Sequence, residues 1–130
     1  MTLAGALAGL LGLLLHGSST SVAGIRLPWG LLIALGLSYV VVYQAGIYGG
    51  QVHPRYTVLV AFFAWAGAVF VNFFAFFFPG NDRFYLPAPL GHDPFASWAL
   101  VLDRGWQFGL FLLLPLVTWH LLQVLRREKD

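Results

Sequence analysis

Residues 3–15, 27–48, 56–78 and 105–125 contain no Asp, Glu, Lys or Arg. That constrains the fold more than any motif in the chain. An α-helix rises about 1.5 Å per residue, so about 20 apolar residues cross the roughly 30 Å hydrocarbon core of a bilayer. The second, third and fourth runs reach that length, while the first is apolar but short. A soluble chain of 130 residues could not bury so much apolar surface, because small domains leave a large fraction of their chain exposed. Here 59% of residues are hydrophobic and 9% charged, against about a quarter charged in an ordinary soluble domain. Lipid is the solvent this composition fits. Strands do not fit it, since no run alternates polar and apolar residues as a membrane barrel does.

The expected fold is therefore all-α: an integral membrane four-helix bundle forming one domain over 1–130, with spans at 3–15, 27–48, 56–78 and 105–125. A long external loop, 79–104, joins the third and fourth helices, and 126–130 form a short tail. The first run has a second reading. An apolar core followed by Ser21-Val22-Ala23 has the form of a signal peptide with a small-x-small cleavage site. No Lys or Arg precedes Arg26, so the basic region such a peptide carries is missing. A short first helix, tilted or thinning the bilayer, is the expectation. Placing both termini in the cytoplasm puts Arg55, Arg126, Arg127 and Lys129 inside and Arg26, Arg83 and Arg104 outside. The margin is one residue, but the tail cluster abuts a span, where basic residues fix orientation most strongly.

Helices in lipid gain nothing from the hydrophobic effect against one another, so close backbone approach governs their packing. Gly5 and Gly9, Gly105 and Gly109, the series Gly30, Ala34 and Ser38, and the pair Ala64 and Ala68 each repeat at four-residue spacing. Each gives its span a smooth strip, for a neighbour within the chain or on another chain. Phenylalanines of the third span cover more than one helical face, so those turned away from the bundle meet lipid or suit docking against a larger membrane complex.

Charged residues inside a span mark function by default, and no Asp, Glu, Lys or Arg lies near the middle of any span. That speaks against a proton pump or charged ion path within one chain. The polar residues that remain are mild. Asn72 is expected deep in the third span, where it can hydrogen-bond a neighbouring helix. Tyr39, Tyr43, Gln44 and Tyr48 lie on the second span, with Tyr43 and Tyr48 suited to an interfacial belt, and Gln107 lies on the fourth. His16, His53, His92 and His120 do not face one another from mid-span positions, as axial haem ligands would. They read as surface or capping groups. No cofactor is expected and no metal, since His92 and Asp93 are adjacent and lack further ligands. With no cysteine, disulfides, thiolate catalysis and zinc–thiolate sites are excluded. A net charge of +2 is too small and too scattered to suggest nucleic acid as a partner.

The polar break PGNDRFYLPAPLGHDP, residues 79–94, is far longer than the two to eight residues that usually join bundle helices. Its turn residues stop the third helix, and Phe84 and Tyr85 give an extended piece a hydrophobic edge. Asp93-Pro94 reads as a helix start, an N-cap oxygen before a residue preset for the first turn. The stretch that follows, with Trp98, lies along the interface or extends the fourth span. Asp103 and Arg104 mark the outer entrance of that span. The loop serves recognition or closes the bundle as a lid. The candidate interaction residues are therefore Phe84, Tyr85, His92, Asp93, Trp98, Asp103, Arg104, Asn72, Gly105 and Gly109.

At residues 25–32, IRLPWGLL, the chain resembles a family of small four-span actinobacterial membrane proteins of unknown function, which share a short first span and an LPWG-type start to the second. The resemblance implies a bacterial plasma membrane and carries no activity or catalytic residues. The membrane glutamate that small multidrug-resistance transporters need in the first span is missing, as are the fluoride-channel and mechanosensitive-channel patterns. The leading expectation is a non-enzymatic structural or accessory subunit of a larger membrane complex, in contact with lipid and with other integral subunits or copies of itself. One alternative is a homo-oligomeric channel or transporter lined by Asn72, Gln44 and tyrosines. Another is a lipid-handling enzyme acting at the outer surface through His92, Asp93, Asp82 or Asp103.

Overall fold

The computed structural model describes residues 1–15, 20–22, 25–77 and 94–127, with side chains at 1–15, 27–74, 102 and 104–127. Four helices dominate it: α1 (Thr2–Leu15), α2 (Trp29–Val52), α3 (Tyr56–Phe77) and α4 (Pro94–Arg127). Helices α2, α3 and α4 are long and apolar enough to cross a membrane, so the chain is a multi-span membrane protein. At 14 residues, α1 is about 21 Å long, short of a full crossing.

Prolines set the ends of the elements. The residue before a proline is pushed toward extended backbone. His53 precedes Pro54 and is extended (φ −162°, ψ 135°), which stops α2. Its N–H still bonds the Gly49 carbonyl at 3.1 Å, and its own carbonyl accepts the Tyr56 N–H at 2.8 Å to open α3. The His53 Nδ1 accepts the Arg55 N–H at 3.1 Å, so this histidine does act as a local cap. Pro28 precedes α2 with φ −81°, and Leu27 before it ends a strand. Pro94 opens α4, as the sequence predicts. The helix is continuous from there to Arg127 and passes through Pro115, which merely lacks the N–H that would bond the Phe111 carbonyl. Of the two readings of the stretch after Pro94, the structure shows the continuous one: it is helical and joined to the apolar part that begins at Arg104.

The sequence reading contained no strand, but β1 (Thr20–Val22) and β2 (Ile25–Leu27) pair antiparallel, with Ser21 opposite Arg26. Runs of three residues are too short to show a period. The hairpin links α1 to α2 and takes in Ser21 and Val22 of the Ser-Val-Ala stretch.

Contact register gives the directions of the helices. Gly5 lies against Ala64 and Gly9 against Ala68, so α1 and α3 run parallel. Gly105 and Gly109 meet Leu31 and Leu35, so α2 and α4 also run parallel, and the tight turn at 53–55 makes α2 and α3 antiparallel. The bundle is up-down-up-down. At Gly9 a Cβ would sit 2.6 Å from the Ala68 Cα, closer than real atoms approach, so glycine permits this contact. The core has two clusters. Val42, Ala45, Ala61, Ala64, Leu113, Val117 and Leu121 fill the end near the 53–55 turn. Ala34, Ala68, Trp106 and Leu110 fill the end near the hairpin. Helix α4 packs mainly on α2 and much less on α3, which leaves a seam between α3 and α4.

Candidate functional site

The α3–α4 seam holds a cavity of about 230 Å³ lined by Val69, Asn72, Phe73, Gln107, Leu110 and Phe111. Next to the lining residue Gln107 in the chain is Trp106, wholly buried, whose indole N–H donates to Asn72 Oδ1 at 3.1 Å. A buried indole N–H needs an acceptor, and Asn72 supplies one from the facing helix. One turn further on, Trp65 Nε1 donates to the Leu110 carbonyl at 2.7 Å, a second cross-tie between the same helices. Two of the lining side chains, Phe73 and Phe111, are exposed aromatics.

Depth follows from the helix rise. Trp106 lies two residues, about 3 Å, inside Arg104. Asn72, expected deep in its span, therefore sits near the hairpin-end boundary. The long α4 makes this so, because it carries Arg104 alongside the last turns of α3. From Asn72 and Gln107 the cavity runs inward to Leu110 and Phe111, polar at the boundary and apolar below it.

The other predicted residues are distributed as follows. Arg104 is exposed at the same end of the bundle. Gly105 and Gly109 face α2, and a Cβ at Gly109 would lie 2.6 Å from Leu35 Cδ2. The smooth strips are thus taken up within the chain. Phe84, Tyr85, His92 and Asp93 lie outside the described residues. Trp98 and Asp103 belong to α4, but their side chains are outside the described set.

Pairings that spacing alone does not reveal lie along α2. His120, read as a surface or capping group near a helix end, is half-buried and bonded through Nδ1 to the Tyr39 hydroxyl. Tyr43 stacks on Tyr39 with ring centroids 6.0 Å apart and packs against the core. Gln44 is exposed on α2, and the Asn72 cavity takes no residue from that helix. A path lined by both amides therefore does not form within one chain. Ser38 Oγ and Thr57 Oγ1 are buried without a hydrogen-bond partner among the described residues. All four charged side chains in the described set, Arg55, Arg104, Arg126 and Arg127, are exposed, and none forms an ion pair there. Burial of Trp106 was missed in the sequence, although its place between Gly105 and Gly109 on an otherwise apolar helix was a usable signal. The Tyr39–His120 pair had none, since the partners are 81 residues apart.

Comparison with protein-family models, with characterised proteins and with solved structures finds no match to this chain.

Proposed function

We propose that this multi-span membrane protein is a non-enzymatic accessory subunit, and that a transmembrane helix of a larger membrane protein docks in the α3–α4 seam. One observation carries the reading: a cavity of about 230 Å³ whose lining joins Asn72 and Gln107 to Phe73 and Phe111. Both phenylalanines are 61% exposed. Aromatic side chains are enriched where proteins meet, and an amide at the mouth of an apolar groove can hydrogen-bond a partner's backbone or hydroxyl. The chain's own small-residue strips are already occupied within the described helices, and the seam offers a partner an open contact surface. The proposed setting is a bacterial plasma membrane with both termini cytoplasmic, which places the seam's polar mouth at the outer boundary.

Photo-crosslinking in native membranes tests the reading. A benzophenone side chain at Phe111 should give one discrete heavier adduct with another integral membrane protein, weakened by Gln107→Leu. The same probe at Ile33, exposed on α2, should not. Lipid adducts alone at both positions would refute the subunit role. An adduct between two copies of the chain would favour the homo-oligomeric alternative, in which a polar path lined by Asn72 and Gln44 forms between protomers.

A further inference from the structure

At the opposite end of the bundle, a second cavity of about 200 Å³ lies between α2, α3 and α4, lined by Ile47, Gly50, Gln51, Thr57, Leu121 and Leu125 among others. We propose that it holds one anionic glycerophospholipid, with the acyl stem inside and the phosphate at the surrounding arginines. Its polarity is graded along the membrane normal. Ile47 and Leu121 form the inner part, whereas Gln51, Pro54 and Thr57 lie at the helix ends. Beyond them come Arg55, next to the lining residue Pro54, and Arg126 and Arg127, which directly follow Leu125. All three are exposed and without an ion-pair partner among the described residues. Arginine favours phosphate because its planar fork bonds two oxygens at once, and basic residues close to a membrane surface attract anionic lipid.

Thr57 makes the site more than a charged rim. It is 1% exposed, and its Oγ1 lacks a hydrogen-bond partner although it lines the cavity. Gly50 keeps the space beside that hydroxyl open, since a Cβ there would sit 2.7 Å from Oγ1. A glycerol ester carbonyl accepts a hydrogen bond from such a hydroxyl, and the glycerol backbone of a lipid lies at this boundary depth. The three cations set this cavity apart from the α3–α4 seam, whose exposed lining side chains include Phe73 and Phe111.

The test uses the purified full chain in detergent, with phosphatidylglycerol and phosphatidylcholine of identical acyl chains as probes and retained lipid read by native mass spectrometry. Phosphatidylglycerol should be retained severalfold more than phosphatidylcholine. Thr57→Val, nearly isosteric, should lower that retention severalfold, and the pair Arg126→Gln and Arg127→Gln should abolish the headgroup preference. Inorganic phosphate in excess should not displace the lipid. Equal retention of the two lipids, unchanged retention in Thr57→Val, or displacement by free phosphate would each overturn the proposal. Gly50→Leu fills the cavity and should also empty it of lipid. Should that variant not fold, Thr57→Val and the arginine pair still decide the question.

Discussion

Single side chains decide how the interior of this bundle is satisfied. Replacing Asn72 with Leu takes the acceptor from the wholly buried Trp106 indole, and an unsatisfied buried donor costs about 1–3 kcal/mol. The Asn72–Trp106 coupling itself should be smaller, about 0.6–1.7 kcal/mol, because the unfolded chain in a membrane also finds partners. A double-mutant cycle of Asn72→Leu and Trp106→Phe, read by unfolding in mixed micelles, separates the two quantities. Ser38→Ala should behave in the opposite way. Its hydroxyl is buried without a partner, so removing it should leave stability unchanged or raise it. A loss as large as that of Asn72→Leu would mean that the Ser38 hydroxyl is bonded after all.

At the scale of elements, α1 is held by proximity rather than by length. It is too short to cross a bilayer, and its buried side is Gly5, Ala8, Gly9, Gly12 and Leu13. Gly5 and Gly9 bring its backbone onto that of α3 at Ala64 and Ala68, where many weak dispersion contacts add up. Gly9→Leu should therefore push α1 off α3 and destabilise the bundle by more than the 1–3 kcal/mol typical of core overpacking, since the opposing atoms are backbone and cannot rotate away. Gly36→Ala is the matched control. Nothing lies within 4 Å of a Cβ at Gly36, so its unfolding midpoint should equal or exceed the parent's. If both substitutions prove neutral, α1 is not packed as described.

For the whole molecule, the uneven attachment of α4 is the main feature. It is fixed to α2 along Leu31, Leu35 and Gly46 and meets α3 in the buried cluster of Ala61, Ala64, Leu113 and Leu121 and through the two indole bonds, and the proposed partner helix enters the seam beside those bonds. Phe73→Ala, with the benzophenone probe kept at residue 111, should abolish the crosslinked adduct while costing the isolated chain no more than about 1.5 kcal/mol, the upper worth of one aromatic pair. A larger stability loss without loss of the adduct would place the Phe73 ring in the chain's own core. Much of this architecture is legible in the linear chain. Runs without charge fix a multi-span helical protein, because lipid offers the backbone no other partner. Pro54 and Pro94 fix where helices stop and start, because the proline ring restricts its neighbour's backbone and its own. Repeats of small residues show which faces come close, but not to what, since that depends on the register of one helix against another. Only the tertiary structure paired Gly5 with Ala64 and Gly105 with Leu31, set Trp106 against Asn72, and brought Tyr39 to His120. Those are contacts across long separations, set by packing three-dimensional surfaces that no local pattern encodes.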